Sequence, residues 1–177
     1  NFTGALGDFL AAVEGSNLGG GNTGAAQVEQ QVVDWLKEIA GFPKSASGTL
    51  TSGGSMANLV AHTVIRNLAA GYDVRKEGIA GLKKPLRFYA SDQVHSCHQK
   101  ATETIGLGNR SLHLVPSDAA FRMDVAALEQ AIAADRAAGL RPACVIATAG
   151  TTNTGSIDDL RAIGAICARE GLWFHVD

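Results

Sequence analysis

The stretch GTLTSGGSMANL, residues 48–59, predicts a short apolar strand, a glycine turn and the start of a helix, and the rest of the sequence is organised around it. Glycine lets the backbone turn tightly, and the first helical turn leaves N–H groups unpaired at the positive end of the dipole. We therefore predict an anion site in which a phosphate contacts the backbone at Gly54 and the Ser55 hydroxyl. The stretch matches neither a Walker loop nor the dinucleotide motif Gly-x-Gly-x-x-Gly, and the same pattern is also typical of a plain strand-to-helix connection.

Outward from this stretch, the sequence alternates between predicted helices and strands. Apolar residues at helical spacing predict helices from Thr23 to Gly41 and from the glycine turn to Gly71. Strands are predicted at 86–91, 111–115, 142–149 and 173–177, with helices between them. Residues 156–159 have the spacing of a capping box before the last helix. Such alternation predicts an α/β fold of three layers, in which helices cover both faces of a mostly parallel sheet.

Composition excludes several classes of function. The 177 residues carry a formal net charge of -2, and no basic cluster is larger than Lys83-Lys84, which argues against a nucleic-acid or anionic-membrane surface. No apolar run approaches the ~20 residues that span a bilayer, and no signal-peptide pattern is present. Three cysteines without Cys-x-x-Cys spacing favour free thiols over disulfides or a metal site. We expect a cytoplasmic protein with a small-molecule partner and no metal, nucleic-acid or membrane partner.

The predicted strand ends carry polar residues that suit a ligand site, because ligands of open α/β sheets bind beyond the carboxyl ends of the strands. The candidate positions are Gly54 and Ser55, the turn 91–95, Thr151 and Thr152, and Asp177. Asp177 ends an apolar strand, where a carboxylate is costly unless it pairs with a cation or a donor. A protonated heterocyclic nitrogen would be a suitable partner, and a capping or turn aspartate is the alternative.

His95 follows the strand at 86–91, near the start of a helix, where it could stack on a flat ring or transfer a proton. A lone histidine is more often a hydrogen-bonded turn residue, and we interpret the other histidines in that way. They are His62, His98, His113 and His175. Thr151 and Thr152 either satisfy the loop backbone or donate to a bound cofactor.

Four motifs in this order resemble the group II pyridoxal-phosphate-dependent decarboxylases, and most closely the aromatic-L-amino-acid decarboxylase branch. They are TSGGSMANL at 51–59, SDQVHS at 91–96 with Lys100-Ala101, ATAGTT at 147–152 with Asp158-Asp159-Leu160, and WFHVD at 173–177. The resemblance extends from Thr23 to the end. It implies the large domain of the type I, aspartate-aminotransferase-like fold, a pyridoxal 5'-phosphate cofactor, an amino acid substrate and a homodimer.

The resemblance also implies roles for single residues. Gly54 and Ser55 would bind the cofactor phosphate, His95 would stack on the pyridine ring, Thr152 would contact the cofactor, and Asp177 would pair with the pyridinium nitrogen. His95 and Asp177 are thereby the predicted catalytic residues. A carboxylate that keeps the ring nitrogen protonated strengthens the electron sink used during loss of CO2. The predicted activity is decarboxylation of an L-amino acid, with an aromatic one favoured.

The sequence departs from the family pattern at three points. Met56 stands where many relatives carry an acidic residue, beyond the phosphate contacts. The family's Schiff-base lysine lies beyond its His-Val-Asp motif, and no lysine here occupies a matching motif. The family's small C-terminal domain and amino-terminal dimer segment are also missing. We therefore expect a truncated chain that is inactive by itself, with a partial N-terminal segment at 1–22 and an incomplete cofactor-binding domain at 23–177.

Two alternatives stay open. The first is another pyridoxal-phosphate lyase, such as a glutamate or diaminobutyrate decarboxylase or a carbon–carbon lyase acting on a phosphorylated amine, which substrate-contacting residues outside this sequence would distinguish. The second is a truncated, non-catalytic homologue that serves as a dimer-forming or regulatory partner. The sequence does not name the substrate.

Overall fold

The computed structural model describes residues 1–15 and 23–177, which divide into two compact units, Asn1–Ser52 and Gly53–Asp177. The first unit holds helices α1 (Phe2–Glu14) and α2 (Gly24–Ala40). Helix α2 begins after Thr23, whose hydroxyl accepts from Ala26 N, and ends at Gly41 in the left-handed conformation, as predicted. The predicted boundary between segment 1–22 and the following domain falls at residues 16–22, which lie outside the described residues.

The strand predicted at the beginning of the stretch 48–59 is wrong, because residues 46–51 have no regular secondary structure. The carboxylate of Glu29 on α2 instead accepts from Thr49 Oγ1 at 3.0 Å and from Leu50 N at 2.7 Å. A side chain thus supplies hydrogen bonds that a neighbouring strand would otherwise provide. The residue types at 48–50 alone do not distinguish a strand from an irregular segment that bonds to a helix side chain.

The second unit is described throughout and contains five helices, four strands and two short 3₁₀ turns. The helices are α3 (Gly54–Ala70), α4 (Val74–Glu77), α5 (Cys97–Thr104), α6 (Val125–Ala137) and α7 (Leu160–Glu170). The strands are β1 (Leu86–Ser91), β2 (Leu112–Val115), β3 (Arg141–Ala147) and β4 (Trp173–Val176). No helix among the described residues is both long enough and apolar enough to cross a membrane.

The four strands form one parallel sheet in the order β2-β1-β3-β4. Tyr89 of β1 is in register with His113 of β2 and with Val145 of β3, and Ile146 of β3 is in register with His175 of β4. Because β2 and β3 lie on opposite sides of β1, the direction of strand order reverses between β1 and β3. A crevice at such a reversal, outside the carboxyl ends of the strands, is where open α/β sheets bind ligands.

Helices cover both faces of this sheet, which confirms the predicted three-layer α/β fold. On one face, Ile65 of α3 packs in a buried cluster with Phe88 and Ile146. On the other face, helices α6 and α7 contribute Leu128 and Ile163 to a second cluster. Successive side chains of a strand point to opposite faces, so both layers of core can form around one sheet. Each large apolar side chain buried in this way contributes about 1.5–3 kcal/mol.

The capping box predicted at 156–159 is wrong, although the helix predicted after it is present. Asp159 is the N-cap of α7, and its carboxylate accepts from Ala162 N at 3.0 Å. Ser156 Oγ instead donates to Phe121 O at 2.7 Å. Asp159 therefore caps α7, whereas the carboxylate of Asp158 accepts from backbone N–H groups in the protein interior.

Candidate functional site

A cavity of about 470 Å³ lies at the carboxyl edge of the sheet, next to the strand-order reversal. This volume is within the usual range of ligand pockets. Its walls come from the beginning of α3, the turn after β1, the loop after β3 and the residue after β4. The lining residues are Gly54, Ser55, Asn58, His95, Cys97, Thr148, Ala149, Gly150, Thr151, Thr152 and Asp177. The structure thus brings together every site residue predicted from the sequence.

The first turn of α3 presents free N–H groups at the cavity. Met56 N and Ala57 N both donate to Gly53 O at 3.0 Å. Among the described residues nothing accepts from the N–H groups of Gly54 or Ser55, and a Cβ added at Gly54 would meet no atom within 4 Å. This end of the helix can therefore bind an anion such as a phosphate.

Asp177 directly follows β4, and its carboxylate is held by side chains from two helices. Asn58 Nδ2 of α3 donates to Oδ1 at 2.9 Å, and His98 Nε2 of α5 donates to Oδ2 at 3.0 Å. The bond from His98, followed by that from Asn58, holds the pKa of Asp177 well below its usual range, although burial acts in the opposite direction. The ionised side chain is 29% exposed and lines the cavity. No lysine or arginine of the described chain pairs with it.

His98 connects Asp177 to a second histidine. His98 Nδ1 lies 3.0 Å from His62 Nε2 on α3, and both rings are completely buried. The His62 ring stacks on Phe88 of β1 with 5.0 Å between ring centroids. Burial, with His98 and His175 nearby, lowers the pKa of His62 to about 3, so this ring is neutral at pH 7. The interpretation of His62 and His98 as turn residues is wrong, because both lie within helices.

Asn58 also links the carboxylate to β4. Its Oδ1 accepts from His175 Nε2 at 2.8 Å while its Nδ2 donates to Asp177. An amide oxygen only accepts, so His175 carries a proton on Nε2. Sequence reasoning missed Asn58, although its position four residues after Gly54 places it on the same face of α3. The interpretation of His175 and His113 as turn residues is wrong too, since they lie in β4 and β2.

Cys97 adds a thiol beside this network. Its sulfur lies 3.5 Å from Asn58 Nδ2, and one ligand atom each of Cys97, His98 and Asp177 lie within 4.8 Å of one another. Burial raises the pKa of the Cys97 thiol. The thiol therefore stays protonated at neutral pH and is a poor metal ligand in this state.

His95 lies in the turn between β1 and α5, near the start of that helix as predicted, and it is exposed at the cavity. Its Nδ1 accepts from Cys97 N at 3.2 Å. The neutral ring therefore carries its proton on Nε2, which is its remaining donor. The backbone bond fixes the ring at one side of the cavity.

The loop after β3 gives two adjacent threonines different environments. Thr151 is buried, and its hydroxyl lies 2.6 Å from Thr154 Oγ1 and 3.1 Å from Ser156 Oγ. Thr152 is exposed at the cavity, and its hydroxyl has no partner among the described residues. Gly150 between β3 and the threonines has a φ of 120°, which side chains disfavour. Thr151 therefore satisfies the loop, whereas Thr152 is available to a ligand.

Asp158 anchors the same loop from the protein interior. Its carboxylate is 3% exposed and accepts from Thr148 N at 2.8 Å and from Met123 N at 2.7 Å. The Thr148 hydroxyl, in the cavity wall, is buried without a partner among the described residues. Such a group costs about 1–3 kcal/mol unless it finds a partner. The cavity wall therefore fits a polar ligand.

Comparison with known proteins matches almost the whole chain. The family model described as "Pyridoxal-dependent decarboxylase conserved domain" matches residues 4–177. The chain is 38% identical to an aromatic-L-amino-acid decarboxylase of Bacillus atrophaeus, over 100% of this chain and 35% of that protein. It is 34% identical to an L-2,4-diaminobutyrate decarboxylase of Acinetobacter baumannii, over 85% of this chain and 32% of that protein.

Solved structures agree with these sequence relatives. Mouse CSAD in its apo form superimposes with a TM-score of 0.80 and 36% identity, covering 84% of this chain and 31% of that one. Oryza sativa TDC with PLP and tryptamine superimposes with a TM-score of 0.74 and 31% identity, covering 85% of this chain and 32% of that one. The chain thus spans about a third of the length of its relatives.

Proposed function

The chain belongs to the pyridoxal-dependent decarboxylase family, and from this premise we propose that it is the cofactor-binding part of an enzyme that removes CO2 from an aromatic L-amino acid. The family uses pyridoxal phosphate, and one similar structure contains it. The 38% identity to the Bacillus decarboxylase supports the aromatic substrate. A homodimer and a cytoplasmic location are part of the proposal, with the resemblance and the cysteine content as their support.

The observation that carries the proposal is the ionised carboxylate of Asp177 at the cavity. Its two hydrogen-bond donors, Asn58 and His98, leave lone pairs unused, since a carboxylate can accept about four bonds. No lysine or arginine of the described chain approaches it. A positively charged N–H of a bound heterocycle is the partner that this carboxylate lacks.

The other cavity residues fit the remaining parts of the cofactor. The free N–H groups of Gly54 and Ser55 would bind its phosphate. His95 would stack on its ring, and the free hydroxyl of Thr152 would donate to it. The partnerless hydroxyl of Thr148 is a further polar group that a ligand can satisfy.

When bound, pyridoxal phosphate supplies a sink for the electron pair that remains after CO2 leaves. Asp177 serves this chemistry by holding a proton at the ring nitrogen, because an anion in that place favours the protonated form. Asn58 and His98 keep Asp177 ionised, and His95 restricts the orientation of the ring. Correct orientation of reacting groups lowers a barrier by several kcal/mol.

A second substrate class is favoured by the 34% identity to a diaminobutyrate decarboxylase. The residues proposed above all contact the cofactor, which is common to both classes. The choice between the substrates therefore depends on contacts to the amino acid side chain, and activity assays distinguish them.

The test is substrate-dependent CO2 release by the whole gene product that contains this chain, supplied with pyridoxal phosphate. L-Tryptophan, L-tyrosine, L-phenylalanine, L-2,4-diaminobutyrate and L-glutamate are compared, with a D-amino acid as control. We expect release from an aromatic L-amino acid. Release from diaminobutyrate or glutamate alone would transfer the assignment to that class. Saturable cofactor binding without release from any amino acid would contradict the decarboxylase proposal and favour a non-catalytic partner.

A further inference from the structure

We propose that His98, supported by His62, is a positioning residue that holds the Asp177 carboxylate ionised and oriented toward the ring nitrogen of the cofactor. The inference rests on the proposed function, because it assigns that nitrogen as the partner of Asp177. It adds two buried histidines to the residues that determine how strongly the site favours a protonated ring.

The first step is that the two carboxylate oxygens of Asp177 accept from different donors. Asn58 donates to Oδ1 and His98 donates to Oδ2, and the two donors come from different helices. With both oxygens bonded, the carboxylate cannot rotate without breaking a hydrogen bond. Each donor bonded to a charged group contributes about 1.5–3 kcal/mol. The carboxylate is thereby fixed before any ligand arrives.

The second step is the direction of the hydrogen bonds along the histidine pair. To donate to Asp177, His98 carries a proton on Nε2, and its Nδ1 is then free to accept from His62 Nε2 at 3.0 Å. This arrangement leaves His62 Nδ1 without a proton. His62 Nδ1 is in fact buried and has no partner among the described residues. The reverse direction would place a buried N–H there without an acceptor, which folded proteins rarely tolerate.

The third step explains why two histidines are present. A neutral imidazole can place its proton on either nitrogen, and only the Nε2 tautomer of His98 donates to Asp177. The donor at His62 Nε2 occupies His98 Nδ1 and selects that tautomer. His62 is itself fixed between α3 and β1 by stacking on Phe88. His175 of β4 also lies near His98, with 5.9 Å between ring centroids, but its Nε2 bonds to Asn58.

A purely structural role for the pair would have a different consequence. Two buried rings between α3 and α5 also contribute packing, and their loss would weaken every ligand of the cavity alike. A positioning role acts only on a ligand that offers a charged ring nitrogen. The two roles are therefore separated by comparing two ligands that differ in this one atom.

The experiment uses the whole gene product and its affinity for pyridoxal phosphate and for the 1-deaza analogue, in which carbon replaces the ring nitrogen. Both affinities are measured by equilibrium dialysis of the wild-type protein, His98→Phe and His62→Leu. We expect the preference of the wild-type protein for pyridoxal phosphate to fall about tenfold in His98→Phe, with a smaller fall in His62→Leu. His113→Phe, a histidine of β2 outside the cavity, is the matched control and should keep the preference.

An equal loss of affinity for both compounds in His98→Phe, or no loss for either, would overturn the positioning role while leaving the proposed function intact. Failure of the wild-type protein to bind pyridoxal phosphate would instead contradict the proposed function. If His98→Phe does not fold, ¹⁵N NMR of the wild-type histidine rings supplies the answer. We expect His98 and His62 to be protonated on Nε2 only, and a proton on His98 Nδ1 would contradict the inference.

Discussion

Asp135 and Asp177 are both carboxylates at the edge of the sheet core, but their neighbours differ in kind. Asp135 on α6 accepts from Tyr89 Oη at 2.9 Å and lies 3.2 Å from Arg87 Nε as an ion pair that lacks hydrogen-bond alignment. Asp177 has the donors Asn58 and His98 and no lysine or arginine within the described chain. The first carboxylate has an arginine beside it, whereas the second has no lysine or arginine beside it among the described residues.

A structural carboxylate and a candidate functional one differ in whether their partners all belong to the chain. Burial and the bond to Asp135 raise the pKa of Tyr89 above its usual range, so this phenol stays a donor at every physiological pH. Asp135 therefore has its partners, Tyr89 and Arg87, within the chain. At Asp177 the pKa is held low by donors while one side of the carboxylate faces a cavity. An ionised group with unused lone pairs is typical of a binding site.

The largest expected effect is at Asp177, the carboxylate that faces the cavity. Asp177→Ala removes the anion that favours a protonated ring nitrogen, and we expect turnover of the whole gene product to fall by at least about a hundredfold. Folding should persist, as checked by circular dichroism and gel filtration, while CO2 release is measured at saturating cofactor. Unchanged turnover would remove Asp177 from the site and erase the contrast with Asp135.

The matched change is Asp135→Ala, at the carboxylate whose partners belong to the chain. It leaves Arg87 and Tyr89 without their partner, and we expect a loss of about 2–4 kcal/mol in the free energy of unfolding, measured by urea denaturation. Turnover per folded molecule should stay near that of the wild-type protein, because Asp135 does not line the cavity. A fall in turnover as large as that of Asp177→Ala would break the comparison.

The third prediction concerns pH and His62. Its pKa is about 3 in the folded chain and about 6.5 in an unfolded one, so between these values the unfolded chain binds more protons. The stability contributed by neutral His62 is complete above pH 6.5 and is lost as pH falls toward 3. We expect unfolding free energy to fall by up to about 1.4 kcal/mol per pH unit in this range.

Urea denaturation of the wild-type protein and His62→Leu between pH 7 and pH 4.5 measures this slope. The variant should show a flatter dependence, although not a flat one, since burial also lowers the pKa of His175. Parallel slopes in the two proteins would show that His62 is not the group responsible. Between pH 7 and pH 4.5 the lowered pKa of Asp177 adds little, because the stability that it contributes is lost mainly below the ordinary Asp pKa of 3.8.

The smallest effects are expected in the adjacent threonines, which repeat the comparison on a smaller scale. Thr151→Val breaks bonds to Thr154 and Ser156 within the loop and should cost about 1 kcal/mol of stability. Thr152→Val should leave stability unchanged and weaken cofactor affinity about fivefold, as measured by equilibrium dialysis. A loss of cofactor affinity in Thr151→Val and a loss of stability in Thr152→Val would mean that Thr151 contacts the ligand.

Much of this site could be predicted because its residues follow local signals. The glycine turn before α3, the polar residues at strand ends and the alternation of elements are patterns of neighbouring residues, and they correctly led to Gly54, His95, Thr152 and Asp177 as lining one cavity. Errors arose where a local pattern had two structural solutions. Residues 48–50 bond to a helix side chain instead of a strand, and Ser156 bonds to Phe121 instead of capping α7.

The α/β fold, the family and part of the cavity lining could be predicted from the sequence, because periodicity, turn chemistry and motifs are properties of neighbouring residues. The surroundings of Asp177, in contrast, follow from the packing of distant elements. Its partner His98 is 79 residues away in sequence, and His62 is 36 residues from His98. A hydrogen bond between such residues depends on how α3, α5 and β4 pack together. The tautomers of His98 and His62 depend in turn on which buried ring nitrogen lacks a partner. Neither the packing of these elements nor the tautomers leave a periodic signal in the sequence.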